Sequence, residues 1–327
     1  MKYYLNKLIS GESLTKIESE EALIKIGTGE ANSAQIASFL MGIQQKGIQV
    51  QELVGFRSAM LTLALPLDLS DFDAMDVCGT GGDGKDTFNI STTAAFVVAG
   101  AGQKVAKHGN HGVSSAVGSS TVLEYLGVKF SNDSDFLKDK IEKAGICYLH
   151  APLFHPAMRF VGPIRKELGI KTFFNILGPL LNPAQIQKQL TGVFDLNTFD
   201  LYYELFLQSS TNFGIVHALD GYDEVSLTGD FKFGNRNRIG VFQPNDFGFN
   251  ECKPETLSGG NTLEESAEIM VAILKNEGSL AQNNAVLANA GLALSVANQL
   301  SIEEGMAKAL ESLESGAAYR CLEGLMV

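Results

Sequence analysis

Apolar side chains recur every three or four positions from Met1 to about Leu65, which is the spacing of amphipathic helices. The residues that follow this spacing fall into three groups: Leu14, Ile17, Ala22, Leu23 and Ile26; Ile36, Phe39, Leu40 and Ile43; and Leu53, Phe56, Ala59 and Met60. Glycines and the pair Leu65-Pro66 separate the groups. The pattern predicts a small helical domain over residues 1–66. So few residues cannot bury all these faces, so we expect some apolar surface to pack on another domain or a second subunit.

From Asp73 onward the pattern changes, because short apolar runs alternate with helical segments, as in a parallel α/β sheet. The predicted strands cover residues 74–78, 103–106, 146–150, 190–194 and 213–219. A glycine- and proline-rich segment near 160–183 predicts a crossover back toward the helical domain. The predicted fold class is α/β. A small helical domain joins a larger α/β domain over residues 67–327, whose mostly parallel central sheet is surrounded by helices.

Composition and charge narrow the possible functions. The chain has 327 residues, 45% of them hydrophobic and 19% charged, which is ordinary for a globular protein. Its formal net charge of −12 argues against nucleic acid as a partner. The four cysteines are scattered, which predicts reduced thiols without a zinc site or disulfide framework. Since no apolar run has the length of a membrane span, we expect a soluble, cytoplasmic protein without a membrane partner.

The stretch 76–119 concentrates the residues suited to ligand binding. A predicted strand leads into four glycines within six positions, 79–84, where the absence of Cβ atoms lets the backbone approach a ligand. Asn89, Ser91 and Thr92 then precede the apolar run 94–99. They predict a helix N-terminus whose free amide groups attract anions.

Three binding motifs share this outline of strand, glycine loop and helix. The glycine spacing fits a dinucleotide site, but residues from Lys85 onward delay the helix, and the next strand is followed by the basic Lys107. A P-loop would require Ser or Thr where Asp86 stands. The third possibility is a phosphate or diphosphate held by backbone amides, with Asp83 available for a metal or a ribose hydroxyl. We favour this third interpretation.

Two further segments are predicted to reach the same place. The polar loop 107–115 follows the second strand, and the carboxyl ends of neighbouring parallel strands meet at one crevice. Asp220, Asp223 and Glu224 follow the strand 213–219. These carboxylates form either a solvated turn or a magnesium site, and a diphosphate bound by an acidic protein requires the latter.

Four motifs together resemble the anthranilate phosphoribosyltransferase family of tryptophan biosynthesis. They are Gly79-Thr80-Gly81-Gly82-Asp83, Asn89-Ile90-Ser91-Thr92, Lys107-His108-Gly109-Asn110 and Asn175-Ile176-Leu177-Gly178-Pro179-Leu180-Leu181-Asn182-Pro183. The resemblance spans nearly the whole chain, in order and at the family's spacing. It implies transfer of a phosphoribosyl group from 5-phosphoribosyl 1-diphosphate to the amine of anthranilate, with Mg²⁺ as cofactor. It also implies an active site in the cleft between the domains and a homodimer formed through the helical domain.

The resemblance assigns roles to individual residues. It implies that the phosphoribosyl donor is bound by Gly79, Gly82, Asp83, Thr87, Asn89, Ile90, Ser91, Thr92, Lys107, His108, Gly109, Asn110, His111, Gly112, Val113, Ser114, Ser115 and Ser119. Anthranilate would be bound by Gly79, Asn110 and Arg165, whose planar guanidinium suits a carboxylate. The metal would be bound by Ser91, Asp223 and Glu224. We assign no nucleophile or general base.

The chain departs from the family pattern at two places. His111 stands where an arginine is usual, and Ser120-Thr121 replaces the usual Ala-Asp. Imidazole titrates near pH ~6.5 in model compounds, so we hypothesise that His111 contacts a phosphate and that its charge matters. Two alternatives stay open: a pyrimidine nucleoside phosphorylase, and a non-catalytic relative that binds nucleic acid, against which the net charge argues.

Overall fold

A computed structural model of the chain describes residues 1–112 and 117–327. Contacts between residues divide it into two compact units. The first consists of Met1–Leu67 and Ala151–Pro183, and the second of Asp68–His150 and Ala184–Val327. Val113, Ser114 and Ser115, predicted above to bind the donor, lie outside the described residues.

Helices and strands of the described residues are numbered in chain order. The helices are α1 Lys2–Ile9, α2 Lys16–Gly27, α3 Ser33–Lys46, α4 Val50–Thr62, α5 Ile90–Gly100, α6 Ser119–Tyr125, α7 Ser134–Ala144, α8 Ala151–Phe154, α9 Met158–Leu168, α10 Leu196–Leu207, α11 Leu263–Leu274, α12 Leu280–Asn298, α13 Ile302–Glu314 and α14 Ala317–Met326. The strands are β1 Met75–Gly79, β2 Val105–Gly109, β3 Ile146–His150, β4 Lys188–Gly192, β5 Asn212–Ala218, β6 Phe231–Asn235 and β7 Ile239–Phe242.

The first unit is helical, as its apolar periodicity predicts. Its core is aromatic: the ring of Phe56 stacks on that of Phe173 at 4.3 Å, and Phe39 meets both rings edge-on. Phe173 comes from the second segment of the unit. Burial of its ring therefore ties that segment to the helices formed by the first one.

A seven-stranded sheet in the order β3-β2-β1-β4-β5-β6-β7 organises the described part of the second unit. The first five strands in the chain pair in parallel, and β6 and β7 add an antiparallel edge. Strand order reverses between β1 and β4, which pair from Met75 with Lys188 to Gly79 with Gly192. In open parallel sheets, ligands bind beyond the carboxyl ends of the strands at such a switch point.

The structure confirms the predicted fold class, a small helical domain with a larger α/β domain around a mostly parallel sheet. Of the predicted strands, only 146–150 has the observed bounds; β1 and β5 are offset by one residue, β4 by two, and β2 differs at both ends. Two differences near the site have a physical reason. Strand β2 extends to Gly109, because the buried Lys107 satisfies its ammonium group with the Val77 carbonyl, 2.5 Å away. Helix α5 begins at Ile90, so Ser91 and Thr92 lie inside its first turn.

Helices of the described residues were also compared with the dimensions of a membrane span. No single helix in those ranges is long and apolar enough to cross a membrane. The pair α12 and α13 has the required length and composition only when its two helices are taken together, and a 120° bend separates them.

Candidate active site

The loops that follow β1 and β5 meet at the carboxyl end of β4. The amide of Thr80 donates to the Gly192 carbonyl at 3.0 Å. The next amide, that of Gly81, donates to Oδ2 of Asp223 at 2.6 Å. These bonds fix the predicted donor-binding glycine loop against the predicted metal ligands.

Two glycines make this approach sterically possible. A Cβ atom on Gly192 would lie 1.4 Å from the Asp223 carbonyl oxygen, and one on Gly79 would lie 2.5 Å from its Oδ2. Within the loop, Gly81 and Gly82 have φ values of 63° and 80°, a region that side chains disfavour. The glycine loop thus depends on glycine for close packing at its base and for its backbone path at its tip.

Helix α12 holds the acidic loop, residues 220–225, from the other side through the buried Asn289. Its Oδ1 accepts from the Val225 amide at 3.1 Å, and its Nδ2 donates to the Val225 carbonyl at 2.9 Å. A tight turn precedes this point, where the Ala218 amide donates to the Tyr222 carbonyl at 3.0 Å. Asp223 and Glu224 lie between these two anchors, so their positions are set before any ligand arrives.

The two carboxyl groups lie in an unfavourable electrostatic environment. Burial raises the pKa of Asp223, and repulsion from Asp83 raises it further. Burial likewise raises the pKa of Glu224, and so does its neighbour Asp223. Attraction to Lys107 opposes the rise in the pKa of Glu224. The Ser91 amide in the first turn of α5 acts in the same direction, because it donates to Oε1 of Glu224 at 3.1 Å.

This arrangement fits a divalent cation, because a cation would relieve the repulsion that raises both pKa values. Glu224 contacts the main chain of Ser91, so the three predicted metal ligands lie together. Residues 1–112 and 117–327 contain no group of three or more His, Cys, Asp or Glu that could hold a metal ion. Two carboxylates are nevertheless typical for Mg²⁺, which completes its octahedron with water and substrate phosphate oxygens.

Residues at the end of β2 carry the second predicted donor-binding segment. Lys107 and His108 are buried, and the His108 amide donates to Oδ1 of Asp76 at 3.3 Å. Asn110 and His111 are exposed beyond the strand. Oδ1 of Asn110 accepts from the His111 amide at 2.8 Å, which fixes the orientation of the Asn110 side chain.

The N-termini of α5 and α6 are joined by side-chain hydrogen bonds. Thr92 Oγ1 donates to Ser119 Oγ at 2.7 Å, and Asn89 Nδ2 donates to the Val117 carbonyl at 3.1 Å. Asn89 is therefore not a side-chain cap of α5, contrary to the N-cap chemistry predicted for it. Its side chain instead connects the two helix starts, where several predicted donor-binding residues meet.

The remaining predicted donor-binding residues lie along the glycine loop and the loop after β2. Gly82 and Asp83 are part of the glycine loop, and Thr87 forms a single antiparallel bridge with Ser258. Ile90, the first residue of α5, is only 1% exposed, so its side chain belongs to the core of the second unit. Gly112 is exposed at the end of the first described range.

Arg165, the predicted ligand of the anthranilate carboxylate, belongs to the first unit. It lies on α9, where Nη2 donates to Asn175 Oδ1 at 3.4 Å and the guanidinium lies 5.2 Å from the centre of the Phe174 ring. Burial lowers the pKa of this guanidinium, because charge is costly in a desolvated place. A carboxylate ligand would offset that cost.

Gly192 and Asn289 were not predicted as site residues. Gly192 ends the largely buried strand β4 and has no side chain that would mark it as functional. Asn289 is a buried amide within the mostly apolar sequence of α12, and such a residue usually has a specific polar partner. A polar amide within an apolar helix sequence was therefore the signal that could have identified Asn289.

The fold and the site together define a class of protein: an α/β protein whose glycine loop faces an acidic pair at a sheet switch point. Comparison with known families agrees. Residues 71–319 match the a/b domain of a glycosyl transferase family, and residues 2–64 match the helical bundle domain of that family.

Individual relatives narrow the class. The anthranilate phosphoribosyltransferase of Christiangramia forsetii is 53% identical over 319 residues, which cover 98% of this chain and 96% of the relative. That of Flavobacterium psychrophilum is 53% identical over 325 residues, covering 99% and 98%. The chain belongs to the anthranilate phosphoribosyltransferase family, which confirms the resemblance drawn from the motifs.

Solved structures agree with the relatives. The crystal structure of the Thermus thermophilus anthranilate phosphoribosyltransferase superposes with a TM-score of 0.93 at 36% identity, covering 99% of this chain and 98% of that one. The Saccharomyces cerevisiae enzyme in complex with PRPP and Mg superposes with a TM-score of 0.90 at 29% identity, covering 99% and 96%.

Proposed function

We propose that this chain transfers the phosphoribosyl group of 5-phosphoribosyl 1-diphosphate to the amine of anthranilate and releases diphosphate. The observation that carries the proposal is the acidic pair Asp223 and Glu224, packed between the glycine loop and the N-terminus of α5. Anionic groups with raised pKa values, placed beside a phosphate-binding loop, suit a metal-bound diphosphate and would repel a bare one. Yeast relatives in complex with PRPP and Mg and with 4-fluoroanthranilate support the same substrates.

The donor side of the reaction is assigned to the second unit. Backbone amides of the glycine loop and the first turn of α5 would hold phosphate oxygens, and Lys107 would supply positive charge. Asp223, Glu224 and Ser91 would hold Mg²⁺, which, when bound, stabilises the negative charge that grows on the leaving diphosphate. The remaining donor contacts follow the residues assigned above from the family motifs.

The acceptor side needs orientation rather than activation. An aromatic amine is already neutral at pH ~7, since the pKa of its conjugate acid lies far below the ordinary amine range. Arg165 would bind the anthranilate carboxylate, and Asn110 together with the Gly79 backbone would place the amine in line with the sugar carbon. We assign no covalent intermediate and no general base to this reaction.

The same proposal extends to assembly and location. Tyr3, Ile9 and Ile17 in the helical unit are 60%, 84% and 66% exposed, and a homodimer formed through this unit would cover such side chains. Cys78 and Cys147 are free and buried, as suits a cytoplasmic protein. Analytical ultracentrifugation should give twice the monomer mass, and a monomer at micromolar concentration would argue against the dimer.

The test of the reaction is the loss of anthranilate fluorescence when the protein is mixed with the donor, with and without Mg²⁺. We expect loss that depends on Mg²⁺ and disappears in the Asp223→Asn/Glu224→Gln variant. Asp200→Asn, which removes an exposed carboxylate on α10 paired with Lys232, is the matched control and should keep full activity. Phosphate-dependent cleavage of a pyrimidine nucleoside without consumption of anthranilate would favour the phosphorylase instead.

A further inference from the structure

A buried chain of hydrogen bonds lies behind the loop that carries Asn110 and His111. The Ser120 hydroxyl lies 2.8 Å from the Tyr148 hydroxyl and 2.9 Å from Nδ1 of His150. These three side chains are 0%, 2% and 8% exposed. Each polar group is costly to bury alone, so the three are energetically dependent on one another.

The burial of Tyr148 and His150 determines where the protons of this hydrogen-bond network lie. Burial raises the pKa of Tyr148, so its hydroxyl keeps its proton. Burial also lowers the pKa of His150, and His111 adds to that effect while Glu124 opposes it. A neutral His150 can accept the Ser120 proton at Nδ1 while Ser120 accepts from Tyr148, so both hydrogen bonds of the network can form at once.

Ser120, Tyr148 and His150 contact three consecutive residues of the predicted binding loop 107–115. The Ser120 amide donates to the Asn110 carbonyl at 3.2 Å. The Tyr148 hydroxyl lies directly against Gly109, where a Cβ would be 2.3 Å from its oxygen. The His150 ring meets that of His111 edge-on, with centroids 4.9 Å apart and planes at 77°.

Two further side chains, Phe130 and Thr121, restrict the rings of His150 and His111. The ring of Phe130 stacks on His150 at 4.6 Å, which restricts rotation of the imidazole. Thr121 Oγ1 lies 3.2 Å from Nδ1 of His111. Orientation matters more for His111 than for an arginine, because an imidazole has at most two N–H donors whereas a guanidinium has five.

We propose that Ser120, Tyr148 and His150 are positioning residues that hold Asn110 and His111 in the orientation that binds the two substrates. The inference rests on the proposed function. It identifies a support built from residues at or next to positions where this chain departs from the family pattern, since Ser120-Thr121 and His111 are those departures.

Three variants separate the links of the chain. Ser120→Ala breaks both hydrogen bonds of the network. Tyr148→Phe breaks only the bond between Tyr148 and Ser120. His150→Phe keeps an aromatic ring between Phe130 and His111 but loses Nδ1, and with it the bond to Ser120. We expect Ser120→Ala to raise the KM for the donor and for anthranilate about 2- to 10-fold, as for one or two lost hydrogen bonds, with a smaller change in kcat. Tyr148→Phe should have a smaller effect than Ser120→Ala, and Ser120→Thr, which keeps the hydroxyl, should restore KM.

Ser312→Ala is the matched control, because Ser312 is equally buried and its hydroxyl donates to the Val97 carbonyl at 2.7 Å, within α5 rather than in the binding loop. It should lose stability without a change in KM. Equal KM values for Ser120→Ala, Tyr148→Phe and the control would overturn the inference. Wild-type protein that consumes no anthranilate would instead refute the proposed function, so the two failures are distinguishable.

Discussion

Replacing Gly192 by alanine tests whether close packing at the sheet switch point positions Asp223 and Glu224, the carboxylates proposed to bind the metal. The added Cβ would lie 1.4 Å from the carbonyl oxygen of Asp223 and 2.6 Å from its carbonyl carbon. Ordinary van der Waals contact begins at 3.4 Å, so β4 and the acidic loop must separate by 3.4 − 1.4, or about 2 Å, at this point. The obstacle is backbone on both sides, so no side-chain rotation can relieve it.

A displacement of this size breaks the geometry of the site. The bond from the Gly81 amide to Asp223 is 2.6 Å long and does not survive a shift of about 2 Å. We expect the Mg²⁺ concentration for half-maximal activity to rise at least about tenfold, which corresponds to ~1.4 kcal/mol. Overpacking should also lower the free energy of unfolding by about 1–3 kcal/mol.

Two measurements check the Gly192→Ala prediction: turnover against Mg²⁺ concentration, and urea unfolding without metal. Gly229→Ala is the control, because a Cβ there meets no atom within 4 Å and its φ is not positive. Gly229→Ala should retain the wild-type Mg²⁺ dependence. A Gly192→Ala enzyme with that same dependence would show that close packing at β4 does not position Asp223, and the steric explanation would be abandoned.

Other perturbations follow from the same contacts. Asn289→Leu removes both partners of the Val225 main chain, so we expect urea unfolding to show a loss of about 2–3 kcal/mol and the Mg²⁺ requirement to rise; unchanged values would contradict its role as an anchor. Burial lowers the pKa of His155 to about 4, so between pH 6.5 and 4 the unfolded chain binds a proton that the folded chain does not. The contribution of His155 to stability should therefore fall by about 3 kcal/mol as pH falls through that window, while the raised pKa values of Asp223 and Glu224 act in the opposite direction. The measurement is the difference in unfolding free energy between the wild type and His155→Phe, which should fall by that amount from pH 6.5 to 4, and a constant difference would contradict the prediction. Lys85 lies 4.6 Å from the centre of the Tyr222 ring and ties the glycine loop to the acidic loop. Tyr222→Leu should raise the donor KM about 2- to 5-fold while Tyr222→Phe leaves it unchanged, and equal KM values in the two variants would exclude the cation–π contact as the cause.

Much of the fold is predictable because it depends on local periodicity. The helical stripes of the first unit, the strand that precedes the glycine loop and the apolar helix α5 are all recognisable in the order of apolar and polar residues. The end of β2 was not predictable in that way. Lys107 and His108 look like loop residues, and only their burial against Asp76 and the Val77 carbonyl, which depends on the pairing of strands, keeps them in the sheet.

The candidate site, like the fold, could be predicted only where local sequence pattern determines it. Asp223 and Glu224 could be predicted as a ligand pair because they follow a strand and the family motif marks them. Gly192 and Asn289 could not, since their importance depends on which strand and helix lie beside the acidic loop. Those neighbours come from places far apart in the sequence, and no local pattern encodes the adjacency.

The charge of the chain gives a physical reason for this rigid construction. A protein with a net charge of −12 binds a polyanion only where local groups reverse the general repulsion. Asp83, Asp223 and Glu224 make that problem worse for a bare diphosphate, but under the proposed function Asp223 and Glu224 would become ligands once a divalent cation accompanies it. Carboxylates held in place before binding need no reorganisation when a metal-bound donor arrives, so we expect the glycine packing at β4 and the amide of Asn289 to contribute to binding without touching the substrate.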